Sequence, residues 1–260
     1  MKARTHDGGG AAAAVDYGTI GSGWAGSRRP DERVAKFVAD ALGGARSVLN
    51  VGAGAGSYEN VADAVTAVEP SASMRARRPP RLTRAVDAVA EDLPFADGEF
   101  DAAMTLFSLH QWSDAAAGLR EIRRVTRGPV VVLTCDPATV RDFWLYDYAP
   151  EVLDTEADRF PPVDEIAAAL GGSCAVDAVP VPLDCTDDFN EAYYGRPEML
   201  LDPAARQACS AWSFVDDGVR ERFDRALRHD LTSGTWDERF GDLRTRPTYE
   251  GSLVIVRAMP

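Results

Sequence analysis

Three glycines at every second position form the part of this sequence whose spacing points most directly to chemistry. Gly52, Gly54 and Gly56 follow the short apolar run Val48–Val51, which predicts a buried β-strand. Glycine has no Cβ, so a loop of this composition can turn sharply and bring its backbone amides close to a ligand. The sequence therefore predicts a ligand-binding loop at the end of a buried strand.

An acidic residue stands where a second strand is expected to end. Glu69 directly follows the apolar run Val65–Val68, a short distance beyond the glycines. A glycine-rich loop after one strand and a carboxylate at the end of the next are typical of nucleoside binding, because the carboxylate can accept hydrogen bonds from the ribose hydroxyls. The two features together predict a site for a ligand that contains a nucleoside.

Few side chains in this sequence are suited to moving a proton at neutral pH. Of its 3 histidines, His110 follows a predicted strand, near the edge of the sheet where ligands bind. His110 is therefore our candidate for a general base, and a packing role at the strand end is the alternative. Asp136, after the next strand, is a candidate to orient an amine or hydroxyl of a substrate, or only to shape the turn before Pro137.

Aromatic side chains cluster at two places in the second half of the chain. Trp144 and Tyr148 lie in DFWLYDYAP, and Tyr193 and Tyr194 lie in AYYGRP. Aromatic residues near a catalytic edge can form the wall of an apolar substrate pocket. At this spacing they can also form the core of a helical subdomain, and the sequence leaves both interpretations open.

The elements that would position these residues alternate between strands and helices. Amphipathic segments at 31–42 and 114–125 predict helices. Seven apolar runs predict strands, namely Val48–Val51, Val65–Val68, Leu82–Val86, Phe100–Leu106, Pro129–Thr134, Ala175–Val181 and Ser252–Ala258. This alternation predicts an α/β fold with a mostly parallel sheet and helices on both faces. Residues 183–247 lack strand signals and predict a helical insertion before the last strand.

The composition restricts the partners of the protein. Its net charge is -13, and its two lysines, Lys2 and Lys36, are far apart, so nucleic acid is a poor partner. The 4 cysteines have no metal-binding spacing, and no metal is expected. No apolar run is long enough to cross a membrane. Residues 1–16 predict a flexible tail instead of a signal peptide, so we expect a cytoplasmic protein. We also expect it to be a monomer or a homodimer.

Four motifs together resemble the class I S-adenosylmethionine-dependent methyltransferases, in particular the small-molecule enzymes of type 11. They are Val48–Gly56, Glu69–Pro70, Leu93–Phe95 with Phe100–Asp101, and Leu106–Trp112. A nicotinamide-binding fold is the poorer match, since its G-x-G-x-x-G loop places the third glycine one position later. The resemblance implies a Rossmann-like seven-stranded sheet with a reversed last strand, and S-adenosylmethionine as the cofactor.

The resemblance also implies roles for single residues around the cofactor. The glycine loop, with Ala53, would lie along the methionine part, Glu69 would bind the ribose, and Phe107 would lie near the sulfonium. The residues implied beside the adenine are Pro70, Ser71, Met74, Ala90, Glu91 and Asp92. Many relatives have an acid at the position of Val89, which cannot accept a hydrogen bond, so adenine recognition would fall on the backbone of Ala90 and on the acids after it.

The segment before the first predicted helix resembles an N-terminal cover of related enzymes. Tyr17, Trp24 and Arg29 are candidates to close over the cofactor, with Arg29 on its carboxylate and Trp24 also facing the acceptor. Trp112, beside His110, is a further candidate for acceptor contacts. Together with residues 137–162 and 183–247, this cover would form the acceptor pocket of one domain that spans residues 17–260.

The resemblance implies an enzyme that transfers a methyl group to O, N or C of a small-molecule acceptor, with secondary metabolism as the expected setting. Fold does not dictate function, so a second hypothesis stays open. In that alternative the protein binds the same cofactor without transferring its methyl group, as a cyclase or a regulator. The glycine loop and Glu69 would be present in either case.

Overall fold

The computed structural model describes residues 29–260, and a six-stranded sheet organises this part of the chain. The strands are β1 (Val48–Val51), β2 (Val65–Val68), β3 (Ala102–Leu106), β4 (Val130–Cys135), β5 (Ser173–Ala178) and, last in the chain, β8 (Leu253–Met259). They lie in the order β2-β1-β3-β4-β8-β5. Two short strands, β6 (Val181–Pro182) and β7 (Thr248–Tyr249), pair separately as an antiparallel ribbon.

The sheet is parallel over its first four strands and antiparallel at β8. β1 pairs in parallel with β2 and β3, and β3 pairs in parallel with β4. β8 runs antiparallel between β4 and β5. Every residue of β1 and β4 is buried, as expected for strands covered on both faces. The predicted α/β class, with a mostly parallel sheet and a reversed last strand, is confirmed.

The predicted strand at Leu82–Val86 is wrong, and the described sheet has six strands where seven were expected. Only Val86 reaches the sheet, through an isolated parallel bridge to Val68. Thr83 contacts the sheet with its side chain instead, since its hydroxyl donates to the carbonyl of Val65 at 3.1 Å. The segment follows two prolines, which cannot donate to a ladder, and it contains one β-branched apolar residue, so little favours a full edge strand.

Helices cover both faces of the sheet. They are α1 (Glu32–Leu42), α2 (Ala72–Ala76), α3 (Ala115–Val125), α4 (Pro150–Arg159), α5 (Val163–Leu170), α6 (Pro203–Gln207), α7 (Asp217–Ser233) and α8 (Thr235–Phe240). Asp31 and Asp114 cap α1 and α3, because their carboxylates accept backbone amides of the first turn. Buried residues of α1 and α4 pack in one apolar cluster, and those of α3 and α5 in the other. Within residues 29–260, no helix is long and apolar enough to span a bilayer.

The insertion at residues 183–247 is folded into short helical segments. Residues 187–194 and 203–214 form single helical turns at Asn190–Tyr193 and Ser210–Phe214, besides α6. Tertiary hydrogen bonds explain the first of these, since Asn190 donates to Glu156 and the carboxylate of Glu191 accepts the Ser252 amide. The apolar side chains of the insertion belong to the same cluster as α1 and α4, so it shares a core with the sheet.

Polar contacts also join the insertion to the loops at the strand ends. The hydroxyl of Tyr58, next to the glycine loop, donates to Asp187 at 2.7 Å. The Thr186 amide donates to Asp31 at 3.1 Å, and Arg33 bridges Asp31 and Asp184. The Arg33 guanidinium beside Asp31 holds the pKa of that carboxyl well below its usual range. The insertion is therefore held in place over the end of the sheet where β1 and β3 finish.

Candidate active site

A cleft of about 800 Å³ opens where β1, β2 and β3 end. This is the edge of a parallel sheet at which ligands are usually bound. The cleft brings together six residues that the sequence predicted for one site, namely Gly52, Ala53, Gly54, Glu69, Met74 and Phe107. Its walls come from the loop after β1, the end of β2, α2 and the end of β3.

Gly52 and Gly54 have backbone conformations that favour glycine, and Gly52 also has no room for a side chain. Their φ angles are +70° and +53°, in the left-handed region that side chains disfavour. A Cβ on Gly52 would lie 2.5 Å from Oγ of Ser108, and one on Gly54 would lie 3.4 Å from Cε of Met74. The loop backbone therefore lies directly against its neighbours and forms the floor of the cleft.

Gly56, the third glycine, faces away from the lining of the cleft. A Cβ there would lie 2.2 Å from Cδ1 of Leu82. Below the loop, Arg78 and Glu59 form an ion pair at 2.6 Å, with side chains 4% and 2% exposed. Glu59 also accepts a hydrogen bond from Asn50 at 3.1 Å. This buried polar group supports the loop from beneath.

Glu69 is held in a fixed orientation at the cleft. Its Oε2 accepts the amide of Gly54 at 2.8 Å, and its Oε1 accepts the amide of Ser71 at 2.8 Å. Each carboxylate oxygen can accept more than one hydrogen bond, so both oxygens retain acceptor capacity toward the cleft. An anchored carboxylate with two acceptors matches the paired hydroxyls of a ribose. The ligand chemistry predicted for Glu69 fits its surroundings.

A second cavity, of about 540 Å³, adjoins the cleft at Gly52 and Gln111. Its lining includes Pro70, Ala90 and Glu91, three of the residues predicted to lie beside an adenine. Trp112, predicted to contact an acceptor, also lines this second cavity. Its indole packs closely on α3, where a Cβ on Gly118 would lie 2.7 Å from Cε3 of Trp112.

Several predicted cofactor residues lie outside these linings. The Ser71 hydroxyl caps α2 by accepting the Met74 amide, and Asp92 is exposed. Glu91 does line the second cavity, and its carboxylate is oriented by a hydrogen bond that it accepts from the hydroxyl of Ser113 at 2.8 Å. Arg29 is exposed at the start of the described residues. Tyr17 and Trp24, like the predicted tail, lie outside the described residues.

Phe107 separates the cleft from a third cavity and lines both. Its φ is +54°, a strained conformation for a bulky residue, and such outliers concentrate at functional sites. Its amide donates to the carbonyl of Leu133 at 2.9 Å, which fixes the backbone there. The ring lies 5.9 Å from that of Phe189 in the insertion. The chain thus turns sharply after β3 and places an aromatic ring between two cavities.

The third cavity has a volume of about 470 Å³ and lies between the end of β3, α4 and the insertion. His110, the predicted base, lines it and packs against Phe160 with ring centroids 4.6 Å apart. Its Nε2 lies 3.3 Å from Nε2 of Gln111. Phe107 and Phe189 form further apolar walls, and the carboxylate of Glu156 is a polar feature of the lining.

Glu156 is partly buried and makes few hydrogen bonds. Its Oε2 accepts Nδ2 of Asn190 at 2.7 Å, and its Oε1 has a long contact of 3.9 Å with Sγ of Cys135. The amide of Asn190 is oriented in turn by Nε1 of Trp212, which donates to its Oδ1 at 3.0 Å. Burial, with a contribution from the charge of Glu191, raises the pKa of Glu156 to about 7. A carboxylate with this pKa can accept or release a proton near neutrality.

The structure gives Asp136 the turn role. Its Oδ1 accepts the Ala138 amide at 3.0 Å, and the preceding Cys135 lines the cavity in its place. Trp144 and Tyr194 are buried together, and Nε1 of Trp144 donates to the carbonyl of Tyr194 in the insertion at 3.0 Å. Two further hydroxyls are also engaged, Tyr148 on Asp230 and Tyr193 on Asp188. These four aromatic residues belong to the core, and the aromatic walls of the third cavity are phenylalanines instead.

Sequence reasoning missed Glu156, Asn190, Gln111 and Tyr58. Glu156 lies in PEVLDTEADR, whose many acids are typical of a solvated helix, and nothing in that pattern marks one acid as buried. The roles of Asn190 and Tyr58 are visible only from their hydrogen bonds to residues that are distant in the chain. Gln111 stands inside the predicted Leu106–Trp112 motif and could have been included with it. Among residues 29–260 no group of three or more His, Cys, Asp or Glu side chains could hold a metal ion.

Comparison with known proteins finds methyltransferases among the proteins to which this chain is similar. A family model described as a methyltransferase domain matches residues 49–132, which run from β1 to β4. The uncharacterized protein YafE of Escherichia coli K12 is 43% identical over 60 residues, 22% of this chain and 29% of that protein. A demethylmenaquinone methyltransferase of Beutenbergia cavernae is 44% identical over 98 residues, 34% of this chain and 40% of that enzyme. The chain thus spans less than half the length of these relatives.

One solved structure is similar over nearly the whole described chain. It comes from Anabaena variabilis and carries a provisional description as a methyltransferase of an antibiotic biosynthesis pathway. The TM-score is 0.82 at 27% sequence identity, over 89% of this chain and 98% of the other. Since the insertion at residues 183–247 is a quarter of the chain, coverage this high must include most of it.

Proposed function

Since this chain belongs to the class I S-adenosylmethionine-dependent methyltransferases, we propose that it transfers a methyl group from S-adenosylmethionine to O, N or C of a small-molecule acceptor. The observation that carries the proposal is the orientation of Glu69 beside the glycine loop. Its carboxylate is fixed by the amides of Gly54 and Ser71 and still has acceptors for two ribose hydroxyls.

The remaining surfaces suit the other parts of this cofactor. Gly52 and Gly54 offer a floor without side chains for the methionine part, and the cavity at Pro70 and Ala90 offers an apolar slot for the adenine. S-adenosylmethionine would supply an electrophilic methyl group on a sulfonium. The chain would hold the acceptor in line with that group, since alignment provides much of the rate in such displacements.

A small acceptor in secondary metabolism is the setting that we favour. The similar structure from Anabaena variabilis, which also matches the insertion, is described as part of an antibiotic pathway. The demethylmenaquinone methyltransferase matches over 34% of this chain, so its substrate carries little weight for this acceptor. The net charge of -13 argues against a nucleic-acid substrate. We propose a cytoplasmic protein, a monomer or homodimer, with residues 137–162 and 183–247 forming the acceptor side.

The test is methyl transfer itself. The protein is incubated with S-adenosylmethionine that carries an isotope label in its methyl group, together with a panel of small phenols, amines and carbon acids. We expect the label in one acceptor class and an equal amount of S-adenosylhomocysteine, both requiring protein and acceptor. Glu69→Ala should reduce the transfer, and the exposed Glu221→Ala on α7 serves as the matched control.

A protein that binds S-adenosylhomocysteine tightly and labels no member of the panel would contradict the proposal. That result would favour the alternative of a cyclase or regulator with the same fold. A protein that binds a nicotinamide dinucleotide and does not bind S-adenosylhomocysteine would contradict both hypotheses.

A further inference from the structure

We propose that the cavity between Phe107 and α4 binds the acceptor, and that Glu156 is the catalytic residue that takes the acceptor's proton. The proposal rests on the function proposed above and names its substrate class. The acceptor would be an uncharged, flat, largely apolar molecule, such as a phenol or an aromatic amine, with an O–H or N–H group directed at Glu156.

The position of the cavity is the first argument. It shares the ring of Phe107 with the cleft that we assign to the cofactor, so the two spaces adjoin at the end of β3. A nucleophile and a methyl group must come into contact for transfer. The cavity is lined in part by the insertion, and it shares no lining residue with the slot at Pro70 and Ala90.

The lining of the cavity is the second argument. Phe107, Phe160 and Phe189 provide three aromatic walls of this cavity. Aromatic walls favour a flat apolar molecule over a sugar or a peptide.

The third argument is that Glu156 has the geometry of an oriented acceptor. The chain of hydrogen bonds from Trp212 through Asn190 fixes Oε2. Oε1 has only the 3.9 Å contact with the thiol of Cys135, and a neutral thiol is a weak donor. Oε1 is therefore the stronger remaining acceptor of this carboxylate, and a hydroxyl or amine in the cavity can donate to it.

The charges around Glu156 are mixed. Glu191 raises its pKa, whereas Arg159 and the hydrogen bonds from Asn190 and Cys135 lower it. His110 and Cys209 lie on the same cavity wall. Burial outweighs the lowering contributions, so the carboxyl has its pKa near 7 and is ready to bind a proton under neutral conditions.

The acceptor's oxygen or nitrogen forms a bond to the methyl carbon, and the carbon–sulfur bond breaks with its electron pair remaining on sulfur. The acceptor's proton moves to Oε1 of Glu156, which becomes neutral and later releases the proton to water. The step neutralises the negative charge of Glu156 and the positive charge of the sulfonium, which is favourable in a partly buried site.

Binding of two probes to the full chain without S-adenosylmethionine tests the proposal. The probes are 2-naphthol, which can donate a hydrogen bond, and 2-methoxynaphthalene, which has the same ring system and cannot. At pH 8 we expect the wild type to prefer 2-naphthol by about tenfold, the change given by one hydrogen bond to a charged group. Glu156→Gln should abolish the preference. Asn190 would bind the amide oxygen of the new Gln, whose N–H groups would then face the ligand and could not accept its hydrogen bond.

Two further variants separate Glu156 from its surroundings. Glu151→Gln changes an exposed glutamate on the same helix, which pairs with Arg222, and should keep the preference. His110→Gln removes the other candidate base from the cavity. If Glu156 is the base, the preference in His110→Gln persists and still declines as the pH falls below about 7.

Calorimetric binding of S-adenosylhomocysteine to every variant reports both correct folding and the cofactor site. If the wild type does not bind it, the proposed function fails. If the wild type and Glu156→Gln both bind it, the proposed function stands and the probes test Glu156 alone. The assignment of Glu156 is then wrong if the wild type shows no preference for 2-naphthol, if Glu156→Gln keeps that preference, or if His110→Gln loses it.

Discussion

The two halves of the site are built on different principles. The cleft at Gly52, Gly54 and Glu69 uses backbone amides, φ angles and one anchored carboxylate, all within a short stretch of chain. The cavity at Glu156 and Asn190 uses side chains from segments far apart in the sequence, held by the packed insertion. The first half has little freedom to change, because a glycine that cannot accept a Cβ has no substitute.

This difference suggests how such a protein can keep one donor and change its acceptor. Substitutions at Phe160 or Phe189 alter the shape of the acceptor cavity without touching the glycine loop, because these residues do not line the cleft. The family match follows the same division, since it covers residues 49–132 and ends before α4 and the insertion. The two regions meet at Phe107 and at the contact between Tyr58 and Asp187.

Substitution in the glycine loop should have the largest effect. We expect Gly52→Ala to lower the free energy of unfolding by about 2–5 kcal/mol, since the variant combines an unfavourable φ with a clash against Ser108. Its affinity for S-adenosylhomocysteine should fall more than tenfold. Chemical denaturation and calorimetry measure the two effects.

Gly44→Ala is the matched control for this change. Gly44 has nearly the same φ, +73°, but a Cβ there meets nothing within 4 Å. This variant should lose only about 1–2 kcal/mol of stability, the cost of the φ angle itself. Equal losses in the two variants would show that the close packing at Ser108 is unimportant.

In the acceptor half, Glu156→Gln should change how stability depends on pH. The pKa of Glu156 is raised from its ordinary 4.5 to about 7, so the folded state favours the protonated form. The wild type therefore loses stability as the pH rises from about 4.5 to 7, and the full loss is present above 7. Glu156→Gln avoids this loss and should be more stable than the wild type at pH 8 by on the order of 1–3 kcal/mol.

Thermal or urea unfolding at pH 4 and pH 8 measures this difference. The advantage of Glu156→Gln should disappear at pH 4, where both side chains are neutral. Glu151→Gln, an exposed change on the same helix, should show nearly no dependence of this kind. An advantage of Glu156→Gln that is constant across this range would mean that the carboxyl does not titrate there.

The smallest effect concerns the contact between the two halves. Tyr58→Phe removes the hydroxyl that donates to Asp187 at 2.7 Å, and we expect a loss of about 1 kcal/mol of stability. Tyr146→Phe removes a longer contact of 3.5 Å on the surface and should cost less. Equal urea midpoints for the two variants would argue that Tyr58 does not hold the insertion to the glycine loop.

The parts of the fold that depend on local pattern could be predicted from the sequence. The strands β1 and β2 have the predicted bounds, and α1 and α3 lie within the segments predicted as helices, because apolar periodicity acts over a few residues. Leu82–Val86 failed as a strand because edge pairing depends on tertiary contacts that one weak apolar run does not specify.

The site divides in the same way. The glycine spacing and Glu69 are visible in the sequence because the cleft is formed by residues close together in the chain. Glu156 was not predictable, since its burial depends on Asn190, which approaches it only after the insertion has folded. The packing of the Trp112 ring on α3, beside residues predicted to lie near the adenine, was also not visible in the sequence.

The most direct test of the cofactor assignment is calorimetric titration of Glu69→Ala with S-adenosylhomocysteine, beside the wild type and Glu221→Ala. We expect the wild type and Glu221→Ala to bind S-adenosylhomocysteine equally and not to bind NADH. Glu69→Ala should bind more weakly by about 1–3 kcal/mol, the cost of lost hydrogen bonds to a charged group. An unchanged affinity in Glu69→Ala would contradict the central claim that this carboxylate holds the ribose.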